Sequence, residues 1–188
     1  VLPIEDSIEG IFDGIKWNIM LAEPLKGYTT FKIGGPAKFF IEPKDKNDLK
    51  LLLSLVKKYN LPLFVIGRGS NLLISDKGIN GVVLRLNAHY FNKLFHKNNY
   101  LEAGSGVSLG RVVLFAKEHG LSGAEFLAGI PGTVSGALAM NAGIAEKANP
   151  FISLGVDGRE SRTIKNIGDL VEMVTVMDYG GNIKTLNK

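Results

Sequence analysis

The chain has 188 residues, of which 45% are hydrophobic and 21% charged, and these proportions predict a globular protein with a substantial core. It contains no cysteine, which excludes disulfides and thiolate metal sites, and its three histidines are spaced in a way that suggests no metal site. The net charge of +4 comes from scattered lysines and arginines, which argues against nucleic-acid binding and suits an anionic small molecule. With no signal-peptide pattern at the start and no apolar run of membrane-spanning length, we expect a soluble cytoplasmic protein.

Residues 1–22 predict an N-terminal helical segment. Isoleucines recur at helical spacing, at Ile4, Ile8, Ile11, Ile15 and Ile19. Such an apolar stripe is typical of a helix packed on the body of the protein.

Residues 23–87 predict a small unit of strands and one helix. The strands are expected at 37–42, 63–66 and 82–86. Asp45 is a candidate N-cap for a helix over about 46–59, since it directly precedes an apolar pattern of helical period. The β-α-β order predicts a sheet with at least one parallel crossover.

Residues 88–188 predict a second unit. A strand at 100–103 leads into Gly104-Ser105-Gly106, and Ser108 is a candidate N-cap of a helix that ends near Gly120. A glycine-rich turn and a small-residue helix are expected over 129–143. The last predicted element is a β-hairpin, 171–178 with 182–186.

Residues 64–74, Phe-Val-Ile-Gly-Arg-Gly-Ser-Asn-Leu-Leu-Ile, place a glycine loop directly after a predicted strand. Two glycines allow several backbone N–H groups to turn towards one anion, and the serine and asparagine add side-chain donors. The loop matches neither the Walker sequence nor the Gly-x-Gly-x-x-Gly dinucleotide pattern. Taken alone, it fits an anion cradle and a tight structural turn equally well.

Two further segments are ambiguous when each is considered alone. Residues 129–136 are Gly-Ile-Pro-Gly-Thr-Val-Ser-Gly, in which Thr133 is a candidate N-cap of a helix that would attract an anion. The small residues there also fit helix-on-sheet packing. Residues 28–37, Tyr-Thr-Thr-Phe-Lys-Ile-Gly-Gly-Pro-Ala, predict a strand end and a turn.

Together, five segments resemble the UDP-N-acetylenolpyruvoylglucosamine reductase family. They are residues 29–37, 67–76, 81–84, 104–106, and 129–136 with 141–143. The resemblance covers about 22–146 and resumes at 167–186. It implies an α+β fold with two FAD-binding subdomains of the vanillyl-alcohol oxidase type, here 23–87 and 88–188. It also implies NADPH-dependent conversion of UDP-N-acetylglucosamine enolpyruvate to UDP-N-acetylmuramate, a step of peptidoglycan precursor synthesis.

The resemblance further implies which residues hold FAD, with the loop 67–73 around its pyrophosphate. The implied cofactor-binding residues are Tyr28, Thr30, Gly67, Arg68, Gly69, Ser70, Asn71, Leu72, Gly104, Ser105, Gly106, Gly129, Ile130, Pro131, Gly132, Thr133, Gly136 and Asn141. The loop contains no histidine that could be tethered to the flavin, so non-covalent binding is expected. We also expect Gly69→Val to weaken FAD binding, because a branched side chain would block the approach of the backbone.

The chain departs from the family pattern in two respects. The family's catalytic arginine follows the hairpin at 171–186 in a Gly-Tyr-Arg segment, and its serine proton donor and glutamate lie in a later substrate-binding domain. None of these segments occurs in the chain, so we assign no catalytic residue and interpret the chain as an FAD-binding portion, incomplete for catalysis. Residues 147–166 look like an insertion, which fits a mobile loop near the site and an unrelated excursion equally well.

Two alternative functions stay open on these grounds. One is another non-covalent FAD oxidoreductase of the same fold, and the other is a catalytically silent flavin-binding module. The implied partner is the UDP-sugar substrate, with neither nucleic acid nor membrane expected. The sequence does not determine the oligomeric state.

Overall fold

The computed structural model describes residues 12, 17–147 and 162–188. No helix in this part of the chain is long and apolar enough to cross a membrane. Residues 17–87 are called the first unit below, and residues 88–147 with 162–188 the second unit.

The first unit is a four-stranded sheet with one long helix. Its elements are β1 (Asn18–Pro24), β2 (Pro36–Glu42), α1 (Lys46–Lys58), β3 (Leu63–Ile66) and β4 (Ile79–Arg85). The strand order is β1-β2-β4-β3, and β4 runs parallel to both of its neighbours. The parallel crossover predicted from the β-α-β order is therefore confirmed. Because β2, β3 and β4 are parallel, their carboxyl ends lie at one edge of the sheet.

The two central strands of this sheet, β2 and β4, are buried on both faces. Phe39 and Ile41 of β2 pack against α1, whereas Phe40 between them packs on the opposite face with Ile66 and Val83. This alternation follows from the two-residue period of side chains along a strand. The predicted N-cap of α1 is also confirmed, since an Asp45 carboxylate oxygen accepts hydrogen bonds from two backbone N–H groups of the first turn. The carboxyl edge of the sheet thus rests on a core packed from both sides.

The predicted N-terminal helix is wrong where the structure describes its end. Residues 18–24 form β1, which pairs antiparallel with β2, and Ile19 lies opposite Ile41. Pairing with β2 supplies hydrogen bonds and a packing surface, which override the helical spacing of the isoleucines. Of the other two described residues of that segment, Phe12 is buried against Phe39, and Trp17 packs against the same core. Residues 1–11 and 13–16 lie outside the described part.

The second unit is built from three antiparallel strand pairs, three α-helices and short 3-10 turns. Its elements are β5 (Leu94–Lys97), β6 (Tyr100–Ala103), α2 (Leu109–Glu118), α3 (Val134–Ala139), β7 (Gly143–Lys147), β8 (Arg162–Asn166), α4 (Ile167–Leu170), β9 (Met173–Met177) and β10 (Ile183–Asn187). The pairs are β5–β6, β7–β8 and β9–β10. The predicted hairpin near the C-terminus is thus confirmed. The core of the second unit is formed by Leu109, Phe126, Leu127, Ala137 and Ile167.

Strand β5 and the pairing of β7 with β8 were not predicted from the sequence. The interpretation of 147–166 as an insertion falls partly on described residues, because 162–166 form β8 and pair with 143–147. Residues 148–161 lie outside the described part, so the role of that segment stays a prediction.

Candidate cofactor site

A cleft of about 510 Å³ lies between the two units, at the carboxyl edge of the first unit's sheet. The first unit contributes the turn around Tyr28, the loop that begins at Gly67, and the residues that follow β4. The second unit contributes the Ser105-Gly106 turn, the first turn of α2, and Pro131, Thr133 and Ser135. Carboxyl edges of parallel strands are a common place for ligands, because loops diverge there and leave a crevice.

The glycine loop is shaped by contacts with the Tyr28 turn. Gly69 has a φ of +61°, a conformation that side-chain-bearing residues rarely adopt. A Cβ at this position would collide with the carbonyl oxygen of Tyr28, and the Gly69 carbonyl oxygen accepts a 3.1 Å hydrogen bond from Thr30 N–H. Gly69 is therefore required by the neighbouring protein backbone, independently of any ligand.

The two units touch each other at this loop. The hydroxyl of Ser70 donates a 2.7 Å hydrogen bond to the carbonyl oxygen of Pro131. A Cβ on Gly67 would lie 2.6 Å from Thr133 Oγ1, so the loop backbone lies directly against the second unit. Thr133 is buried, and its hydroxyl oxygen accepts a hydrogen bond from Gly136 N–H at 3.3 Å, which confirms it as the N-cap of α3. The predicted segments 67–73 and 129–136 are therefore adjacent in space.

The lining of the cleft is positively charged. Its basic residues are Lys32, Arg68, Arg85 and Arg111, and no aspartate or glutamate is among the described lining residues. The hydroxyls of Ser108 and Thr133 add neutral donors, whereas those of Ser70 and Ser135 already donate to the carbonyl oxygens of Pro131 and Ser105. Cations and hydroxyl donors without a competing carboxylate are the groups that bind a diphosphate, so the site fits the pyrophosphate of a dinucleotide.

Tyr28 lies on the wall of the cleft within a polar network. Its hydroxyl donates a 2.9 Å hydrogen bond to Glu23, and its ring stacks on Phe40 with 4.3 Å between centroids. Burial is the main cause that raises the pKa of the Tyr28 phenol above 10.0, and the hydrogen bond and negative charge of Glu23 raise that pKa further. The phenol is therefore a neutral hydrogen-bonding group near pH 7.

The structure places half of the predicted cofactor-binding residues on the cleft. The lining includes Tyr28, Thr30, Gly67, Arg68, Ser70, Ser105, Gly106, Pro131 and Thr133. The other predicted residues do not line it: Gly69, Asn71, Leu72, Gly104, Gly129, Ile130, Gly132, Gly136 and Asn141. Two of these have clear structural roles. Gly104 lies against the Phe91 carbonyl, and Asn141 accepts a 3.2 Å hydrogen bond from Gly168 N–H at the start of α4.

Several lining residues were missed by sequence reasoning. They are Gly27, Thr29, Lys32, Val65, Ile66, Arg85, Leu86, Asn87, Asn92, Ser108, Arg111 and Ser135. Arg85 and Arg111 matter most, because each adds a cation. Arg85 could have been found only from its position near the end of a predicted strand, if that strand had been assumed to run parallel to the strand before the glycine loop.

A protein-family model described as "FAD binding domain" matches residues 37–148. A UDP-N-acetylenolpyruvoylglucosamine reductase from Clostridium novyi is 37% identical over 189 residues, an alignment that covers all of this chain and 54% of the relative. The crystal structure of the same enzyme from Thermus caldophilus superposes with a TM-score of 0.65 at 30% identity, and the match covers 92% of this chain and 52% of that one. Cholesterol oxidase from B. sterolicum superposes with a TM-score of 0.64 at 20% identity, over 91% of this chain and 33% of the oxidase.

These matches confirm the predicted resemblance and the predicted α+β fold of the vanillyl-alcohol oxidase type. The likeness to cholesterol oxidase concerns the fold alone. The chain spans about half the length of the curated relatives it matches.

Proposed function

Because this chain belongs to the FAD-binding domain family, we propose that it is the FAD-binding portion of an NADPH-dependent UDP-N-acetylenolpyruvoylglucosamine reductase. The observation that carries the proposal is the cleft: a glycine loop, hydroxyl groups and four cations converge there, and the described lining residues include no carboxylate. Identities of 37% and 39% to two curated reductases of that name support the choice of enzyme class. A cytoplasmic location and a role in peptidoglycan precursor synthesis belong to the same proposal.

In this proposal the residues of the cleft hold FAD, and FAD supplies the hydride-transfer chemistry. Backbone N–H groups of the loop 67–73 and the side chain of Arg68 bind the pyrophosphate, while the Ser70 hydroxyl holds the loop to the Pro131 carbonyl oxygen. Pro131 and Thr133 lie across the cleft and bound the cofactor from the second unit. Tyr28 and Thr30 face it from the first unit. The chain's contribution is to bind and orient the cofactor.

The experiment is a titration of the purified 188-residue chain with FAD, followed by flavin fluorescence and absorbance. We expect saturable binding of one FAD per chain, and acid precipitation should leave the flavin in the supernatant because the attachment is non-covalent. A chain that is folded by circular dichroism but does not bind FAD would contradict the proposal, and flavin that precipitates with the protein would contradict the non-covalent attachment.

A second candidate function is another non-covalent FAD oxidoreductase of the same fold. Cholesterol oxidase shares this fold, so the fold by itself does not distinguish the two candidates. Activity of the protein that contains this chain separates the two candidates. Oxidation of NADPH that depends on the enolpyruvyl UDP-sugar supports the reductase. Flavin reduction by a different substrate, with no response to that UDP-sugar, supports the alternative.

A further inference from the structure

Arg85 ends strand β4 at the edge of the cleft. It lies opposite Ile66 in the parallel pairing of β3 with β4, and Ile66 is the residue before the glycine loop. Residues opposite each other on neighbouring strands direct their side chains to the same face of the sheet. Arg85 therefore lies beside the residue that precedes the glycine loop, and its side chain lines the same cleft.

The guanidinium of Arg85 is held between a carboxylate and an aromatic ring. Its Nη1 lies 3.5 Å from Glu42 Oε1, and its central carbon lies 5.3 Å from the centre of the Tyr28 ring. Glu42 is fixed in turn by a 3.0 Å hydrogen bond that Asn18 Nδ2 donates to its other oxygen. Such restraint lowers the entropy that the arginine would lose on binding a ligand.

Arg85 retains most of its capacity to donate hydrogen bonds. An arginine has five N–H donors, and the contact of Nη1 with Glu42 is the one side-chain hydrogen bond that Arg85 makes among the described residues. At 3.5 Å this contact is long for a charge-assisted bond. The side chain is 28% exposed, which leaves donors accessible from the cleft.

From this arrangement we propose that Arg85 is a phosphate-binding residue of the cofactor site, donating hydrogen bonds to the pyrophosphate together with the glycine loop. Glu42 and Tyr28 position its guanidinium. A planar, always-charged donor suits two phosphate oxygens better than a single ammonium group does. This inference rests on the proposed FAD function and adds a residue that lies in none of the segments resembling the reductase family.

The test compares wild-type protein with Arg85→Gln, using FAD fluorescence titration and displacement by ADP, which carries the phosphates without the flavin. We expect the FAD dissociation constant to rise about 10- to 100-fold, the loss of one or two charge-assisted hydrogen bonds. The ADP inhibition constant should rise by a similar factor. Lys57→Gln, an exposed position in the last turn of α1, removes the same charge away from the cleft and should change affinity less than about twofold.

Glu42→Gln separates ligand binding from a structural role of the ion pair. If Arg85 binds phosphate, this variant should weaken FAD binding by less than about threefold, because glutamine keeps an oxygen that can hold the guanidinium while the competing negative charge is removed. An equal loss of affinity in Glu42→Gln and Arg85→Gln would show that only the ion pair matters and would overturn the proposal. So would a weakened FAD affinity with an unchanged ADP constant, since Arg85 would then act on the flavin half.

The outcome of this test is distinguishable from failure of the proposed function. Wild-type protein that does not bind FAD refutes the function itself. Wild-type protein that binds FAD, with Arg85→Gln equal to it and folded by circular dichroism, refutes the inference about Arg85 alone. Arg85→Lys keeps the charge without the planar donor pair, and we expect it to recover part of the lost affinity.

Discussion

At the scale of single residues, Gly69 shows how a cofactor loop is constrained by the protein itself. Gly69→Ala should lower the free energy of unfolding by about 2 kcal/mol or more, because the residue has a φ of +61° and its Cβ would collide with the Tyr28 carbonyl oxygen. Urea unfolding measures the change. Gly110→Ala is the matched control, since nothing lies within 4 Å of its added Cβ in helix α2. Equal stability of Gly69→Ala and wild type would contradict this account.

The titration of Tyr28 gives a prediction of pH dependence. Its pKa is raised above 10.0, mainly by burial and then by the hydrogen bond to Glu23. The unfolded chain therefore loses this proton first, so the contribution of the phenol is complete below pH 10 and is lost as the pH rises through the folded-state pKa. We expect the difference in unfolding free energy between wild type and Tyr28→Phe, measured in urea, to be constant from pH 7 to 9 and to decrease above pH 10. A difference that grows above pH 10 would be inconsistent with the raised pKa.

At the scale of secondary-structure elements, helix α1 was predicted from its apolar period and from Asp45 as its N-cap, and the contribution of the N-cap can be tested. Asp45 accepts hydrogen bonds from Asn47 N–H at 2.7 Å and Asp48 N–H at 3.1 Å. Asp45→Ala should therefore lower the free energy of unfolding by about 1 kcal/mol. Asp45→Asn keeps an acceptor and should lose less than half of that amount. The free energy of unfolding of wild type and both variants is measured in urea. Equal losses of stability in Asp45→Ala and Asp45→Asn would show that capping is not the cause.

Elements whose stability depends on distant partners were predicted poorly. Residues 18–22 were expected to end a helical segment and instead belong to β1 (18–24), because the partner strand β2 begins twelve residues after β1 ends. Strand β5 was missed since its residues are mostly exposed, and only its pairing with β6 defines it. In contrast, β3, α2 and the β9–β10 hairpin match their predicted positions, because apolar period and turn glycines act within a few residues. The predicted N-cap Ser108 does precede α2, but its side chain makes no capping hydrogen bond.

At the scale of the whole molecule, the cleft is a product of two units. The first unit contributes the glycine loop, Lys32, Arg68 and Arg85, and the second contributes Arg111 and the turn before α3. The direct polar contact from Ser70 to Pro131 brings the two walls together at the loop. Because residues of both units contribute cations to one cleft, a bound anion would reduce the repulsion between them and stabilise the association of the units.

Sequence alone sufficed for α1, β3, α2 and the β9–β10 hairpin and for the order of glycine-rich segments that marks this family, because these depend on neighbours a few residues apart. The tertiary structure decided which residues share the cleft. Arg85 and Arg111 belong to no recognisable motif, and only the fold places them on the cleft. The fold also shows that Gly69, Gly104 and Asn141 support the protein's own backbone. The reason is physical: the proximity of Gly67 to Thr133, or of Arg85 to Glu42, exists only after strands far apart in the chain have paired and packed.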